Sequence, residues 1–203
     1  MKLFLRFWSY LINPLFVPGI VSFWYFLYLD FYVGENARNK MFLILILTAA
    51  VPLLIFILLK VVDAVKSVHL TEVKERVTPL ISYVILLLIL LRTVFTHKSP
   101  VGLYYFFIGV LLATIVATVL SIARYKISLH LMSMGGALGF AIMLSLTLGL
   151  PLRGYIIGLS LVSGIVASSR LEMKAHKGHE LIFGFCTGLF TQVISQSYAL
   201  QVL

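Results

Sequence analysis

Residues 169–180 read SRLEMKAHKGHE. The chain has 203 residues, of which 61% are hydrophobic and 11% charged, yet this stretch gathers Arg170, Glu172, Lys174, His176, Lys177, His179 and Glu180. Apolar runs close in on both sides. If the stretch joins two membrane-crossing helices, the fold is a membrane bundle; if it is the face of a soluble domain, it is not. Composition decides. The mean hydropathy is +1.07, and several runs approach the roughly 20 residues that cross a bilayer. A soluble domain does not carry this composition.

The chain divides into seven apolar segments: Tyr10–Tyr32, Met41–Val62, Pro79–Phe95, Val101–Ala123, Leu129–Leu150, Leu152–Ser168 and Leu181–Leu203. The third and sixth are short for a span, and the last loses hydrophobicity after Gln192. Lipid cannot satisfy an open backbone, so each segment is expected to be a helix. The predicted fold is all-α, a polytopic transmembrane helical bundle of six or seven spans forming a single domain over residues 1–203. Met1–Ser9 is short and basic, and the apolar run Tyr10–Val33 is too long and too aromatic for a cleaved signal, so the first segment reads as a retained span. The lone Cys186 lies among small and apolar residues and reads as packing. The net charge of +9 suits anionic headgroups. Nucleic acid is a poor partner for this chain, because its cations sit in short loops between apolar runs.

Alternating spans sort the polar loops onto two sides. Asp63–Thr78, Arg124–Ser128 and Ser169–Glu180 fall on the side of Met1, with two helices between each loop and the next. Three polar loops are therefore expected to converge on one face. In the first, Arg76 stands just before a helix expected to start near Pro79, while Lys66 and Lys74 suit an interfacial anchor. In the second, Ser128 and His130 stand at the mouth of an apolar helix, and Gly135, Gly136 and Gly139 permit close helix approach. In the third, His176 and Glu180 are four apart and share one face of a helix. Glu180 can then accept from one ring nitrogen of His176, fix its tautomer and raise the basicity of the other. Arg170 offers a planar fork suited to phosphate. A solvated basic loop is the plain alternative. A metal site at His176, His179 and Glu180 is disfavoured, since neither H-E-x-x-H nor H-x-x-E-H occurs. Cations, a nucleophile and an acid for the leaving group form a set that phosphoryl transfer can use.

These residues resemble the type-2 phosphatidic acid phosphatase family, which shares a helical core with vanadium haloperoxidases. The family's third motif is S-R, five residues, H, three residues, D; Ser169, Arg170, His176 and Glu180 reproduce that spacing, with Glu for Asp. The second is P-S-G-H; Ile127-Ser128-Leu129-His130 keeps the Ser and the His. The first is K, six residues, R-P; here Arg76 precedes Pro79 by three, and His69 holds the Lys position. The match covers roughly residues 66–190, leaving the helices of residues 10–62 peripheral.

The resemblance implies a metal-independent lipid phosphate phosphohydrolase that needs no cofactor. Its substrate class would be phosphatidate, phosphatidylglycerol phosphate or a prenyl mono- or diphosphate. His176 would carry a phosphohistidine, Glu180 would orient it, and His130 would serve as acid and then base. Arg76, Arg170 and Ser128 would hold the phosphate, with Lys74 or Lys126 in place of the missing lysine. His179 has no counterpart in the motif. A phosphotransferase of the same family, or a membrane transport or scaffold protein with a degenerate site, are the alternatives. Polar residues within the spans are scarce, and Arg92 is close enough to a helix end to snorkel, which favours an enzyme over a transporter. The expected location is a bacterial inner membrane. The Met1 side collects more cations than the other, where Arg38, Lys40, Lys98 and Arg153 lie, and the positive-inside rule makes it cytoplasmic. Many family members work on the opposite face.

Overall fold

Prolines, glycines and buried polar side chains set where the helices start and stop. The computed structural model describes residues 12–29, 37–63, 73–96 and 100–199. Among these there are seven helices and no strands. Helix α1 spans Val17–Tyr28, α2 Ala37–Val61, α3 Val73–Thr93, α4 Val101–Ile122, α5 Leu129–Leu148, α6 Arg153–Glu172 and α7 Gly178–Ala199. Helices α2 to α6 are long and apolar enough to cross a membrane, which makes this an integral membrane helical bundle.

Several expected boundaries move for physical reasons. Among the described residues helix α1 starts at Val17; the expected start at Tyr10 lies outside them. Asn13 precedes α1, its Oδ1 accepting the Leu15 N–H at 3.0 Å, and Pro18 takes a first-turn position where no N–H is needed. Helix α3 starts before Pro79, with a 3₁₀ turn at Val73–Arg76 running into Val77–Thr93. Pro79 is tolerated there because first-turn N–H groups have no helical acceptor. The third segment is therefore 21 residues long rather than short. Helix α5 stops at Gly149, whose φ of 63° is left-handed. Helix α6 does not end at Ser168 but continues through Ser169 and Arg170 to Glu172. Ser169 and Arg170 are buried, so protein, not lipid, surrounds this polar helix end.

Helix α2 is regular except at Ile46–Ala50, a π-turn. The Val51 N–H bonds the carbonyl of Ile46, five residues back. Pro52 comes next and has no N–H to return to Thr48, so a wider turn absorbs the break in the ladder.

Helix α7 is 22 residues long but is not among the five helices long and apolar enough to cross a membrane. Its polarity is turned inward. Gln192, Ser195 and Gln196 are buried, and the two glutamine amides donate to the Phe106 and Gly102 carbonyls of α4 at 2.9 and 3.0 Å. Helices α5 and α7 cross in backbone contact. A Cβ on Gly135 would run into the carbonyl of Phe185, and one on Gly188 into that of Met132, so the small residues work as the sequence suggested. The main apolar core joins Tyr25, Leu87, Leu90, Phe106, Phe107 and Phe140. It lies toward the end of the bundle away from residues 169–180.

Candidate functional site

Three chain segments meet at the other end. The Arg76 Nη1 donates to the Ile127 carbonyl at 3.0 Å, tying the start of α3 to the loop before α5. Ser128 N–H donates to the Glu180 carbonyl at 3.0 Å, tying that loop to the first turn of α7. Lys126 Nζ donates to the Ala175 carbonyl at 2.8 Å, tying it to the loop after α6. The polar loops therefore converge, as the alternation of spans implied.

The loop that carries His176 turns back on itself. Lys174 takes a left-handed φ of 51°, and the Ala175 N–H bonds the carbonyl of Arg170 at 3.1 Å. His176 then precedes α7 by two residues. Its Nδ1 lies 2.7 Å from Glu180 Oε2, and the same oxygen accepts the Lys177 N–H at 3.3 Å. Glu180 sits in the first turn of α7, where the helix dipole favours a carboxylate. Both side chains are buried. With Nδ1 engaged by the carboxylate, Nε2 is the ring nitrogen left for chemistry.

Burial pushes the His176 imidazole well below its ordinary pKa; the Glu180 bond pulls it back up, and Arg76, Arg170 and Lys126 push it down further. Lys126 is held below the ordinary ammonium value, by burial first and then by Arg76 and Arg170 against the pull of Glu180. The site thus favours a neutral histidine facing concentrated positive charge. That is the state required of a nitrogen nucleophile meeting an anionic phosphate.

Arg76, His130, Arg170 and His176 line one cavity of about 350 Å³. Arg76 and Arg170 are buried, and His130 is half-buried on the second residue of α5. The cavity continues into the bundle along apolar side chains of α2, α3 and α4, among them Phe56, Leu86 and Val110, to Gln192 of α7. Leu53 of α2 is both part of this lining and exposed, so at this point α2 alone stands between the cavity and the outer side of the bundle.

Other candidates stand apart. Ser128 is fully buried and does not line the cavity. Its hydroxyl caps α5, accepting the Leu131 N–H at 3.4 Å, and Gly184 lets α7 press against its backbone. Ser128 therefore joins elements instead of facing the cavity. Lys74 is exposed in the 3₁₀ turn and does not line the cavity; of the two stand-in lysines, Lys126 is the one that acts on His176. His179 is exposed, its ring 6.4 Å from that of Tyr125, and does not compete for Glu180. Lys66 and His69 lie outside the described residues. Among the described residues, no three His, Cys, Asp or Glu side chains stand together to hold a metal ion. In the sequence Gln192 reads only as the point where the last segment loses hydrophobicity. The signal was there: Gly184, Gly188, Gln192, Ser195 and Ala199 recur at helical spacing along one face.

No protein-family model, curated protein or solved structure matches the chain.

Proposed function

We propose that this chain is an integral membrane phosphohydrolase acting on a lipid phosphate, with the helical core of the type-2 phosphatidic acid phosphatase family. The main support is the His176–Glu180 pair at 2.7 Å in a cavity wall shared with Arg76, Arg170 and His130. Nε2 of neutral His176 attacks phosphorus, and the bond from phosphorus to the lipid oxygen breaks. His130, protonated, delivers its proton to that oxygen. The phosphorylated ring carries positive charge, which Glu180 offsets. Water then attacks the phosphohistidine, His130 takes the water's proton, and inorganic phosphate leaves. Arg76 and Arg170 neutralise the phosphate oxygens throughout. A lipid substrate suits a cavity that joins this polar end to apolar walls behind the outer face of α2.

The proposed setting is a bacterial inner membrane with the site on the cytoplasmic face, from the excess of loop cations on that side. The test is phosphate release by purified protein in detergent, with chelator present. The panel is phosphatidate, phosphatidylglycerol phosphate and prenyl mono- and diphosphates, beside His176→Ala. Release that survives chelator and disappears in the variant supports the reading. Release from none of these lipids, or equal release by the variant, overturns it.

A further inference from the structure

Helix α2 is held very differently along its length. In its first part, Ile44 and Thr48 are fully buried. Ile44 belongs to the main core, and Leu45 packs over Gly19, where an added Cβ would come within 2.9 Å of it. In its second part, Val51–Val61, no residue is buried. Between the two lies the π-turn Ile46–Ala50, with Pro52 just after it. A π-turn beside a proline lacks part of the regular ladder, and such places bend. The loosely held half is also the half that walls the cavity, through Leu53, Ile55 and Phe56. An anchored end, a weakened turn and a wall held only through half-buried side chains such as Ile55 and Phe56 are the three parts of a hinge.

We propose that Val51–Val61 is a lateral gate, swinging about Ile46–Ala50 to admit the hydrocarbon chain of a lipid phosphate from the bilayer into the cavity. This rests on the proposed reading of the His176 site as one for lipid phosphates. The chain passes between α2 and α3 while the phosphate moves along the polar end to Arg76 and Arg170. A soluble phosphomonoester reaches the same residues from water and has no need of the gate. Pro52 serves the gate by withholding an N–H from Thr48, which keeps the turn wide.

Pro52→Ala restores that donor and removes the ring, favouring an unbroken helix. The experiment compares full-length wild type and Pro52→Ala, in nanodiscs, on long-chain phosphatidate and on the water-soluble dibutyryl form. The expected result is a fall of about tenfold in the ratio of long-chain to short-chain turnover, as hinge changes act on entry and release. An unchanged ratio overturns the gate and leaves the site standing. If wild type turns over neither form, the same comparison is made with the long- and short-chain forms of whichever panel lipid it does turn over, and turnover of none of the panel overturns the site. A second measurement does not depend on turnover or on the variant folding. Spin labels at Leu58→Cys and Ile81→Cys, with Cys186→Ser, report the α2–α3 separation by pulsed resonance. Two separations, or one broad distribution, are expected; a single narrow separation overturns the gate.

Discussion

His176 Nδ1 and Glu180 Oε2 stand 2.7 Å apart across the start of a helix, not along it. Helix α7 begins at Gly178, so the histidine hangs from the entry loop and the glutamate from the first turn. The four-residue spacing suggested two positions on one helical face. The contact is made instead by a loop that the left-handed Lys174 turns back toward the helix. The distinction matters for motion: the nucleophile candidate is aimed by hydrogen bonds to a loop, chiefly those through Glu180 and Ala175.

Replacing the pair tests this directly. His176→Ala is expected to remove phosphate release altogether while the protein still elutes as a folded species. Glu180→Gln keeps the shape but loses the charge that fixes the Nδ1–H and that, in the proposed mechanism, offsets the phosphorylated ring. Its kcat is expected to fall about a hundredfold or more with little change in KM. Near-wild-type kcat in Glu180→Gln would remove the orienting role.

Acidity should act through His176. Its folded pKa is depressed by burial and by Arg76, Arg170 and Lys126, so the neutral ring persists below the ordinary histidine value of about 6.5. The acidic limb of the kcat/KM profile is expected below that value, and in Glu180→Gln it should move lower still, since Glu180 is the one group raising it. The stability contribution has the same sign. It is whole above the unfolded pKa and lost as pH falls toward the folded one. An acidic limb above about 6.5 would contradict the buried, cation-faced environment.

Arg76 and Lys74 are two residues apart and should behave oppositely. Arg76→Ala leaves the Ile127 carbonyl without its 3.0 Å donor, at a cost of about 1–3 kcal/mol, and takes a cation from the cavity. Both the melting temperature and phosphate release are expected to drop. Lys74→Ala changes an exposed side chain, and wild-type values are expected for both. Loss of activity in Lys74→Ala would return that lysine to the site.

The α5–α7 crossing should tolerate no added carbon at its closest points, Gly135 and Gly188. Gly188→Ala places a Cβ against the Met132 carbonyl, and backbone cannot move aside as a side chain can. Destabilisation of about 1–3 kcal/mol or more is expected, with loss of activity, because the same crossing holds Ser128 against Glu180. Gly154→Ala meets nothing within 4 Å and is the matched control. Equal melting temperatures for the two variants in detergent would refute the close contact.

Much of the architecture was legible in the residues themselves. Apolar runs of spanning length dictate helices, because lipid offers the backbone no hydrogen bonds, and their alternation brought Arg76, His130 and His176 to one side. What composition could not read was direction. Ser169 and Arg170 looked like loop residues because they are polar, yet they finish α6, since the protein surrounds them. Gln192 and Gln196 looked like the end of a span, yet their amides find carbonyls on α4. Ser128 looked like a phosphate donor beside His130, yet it is buried as the cap of α5 while His130, two residues on, lines the cavity. A side chain's polarity is a property of its residue, fixed in the sequence. Whether that polarity meets lipid, solvent, a neighbouring carbonyl or a substrate depends on which helix packs opposite, and only the assembled bundle decides that.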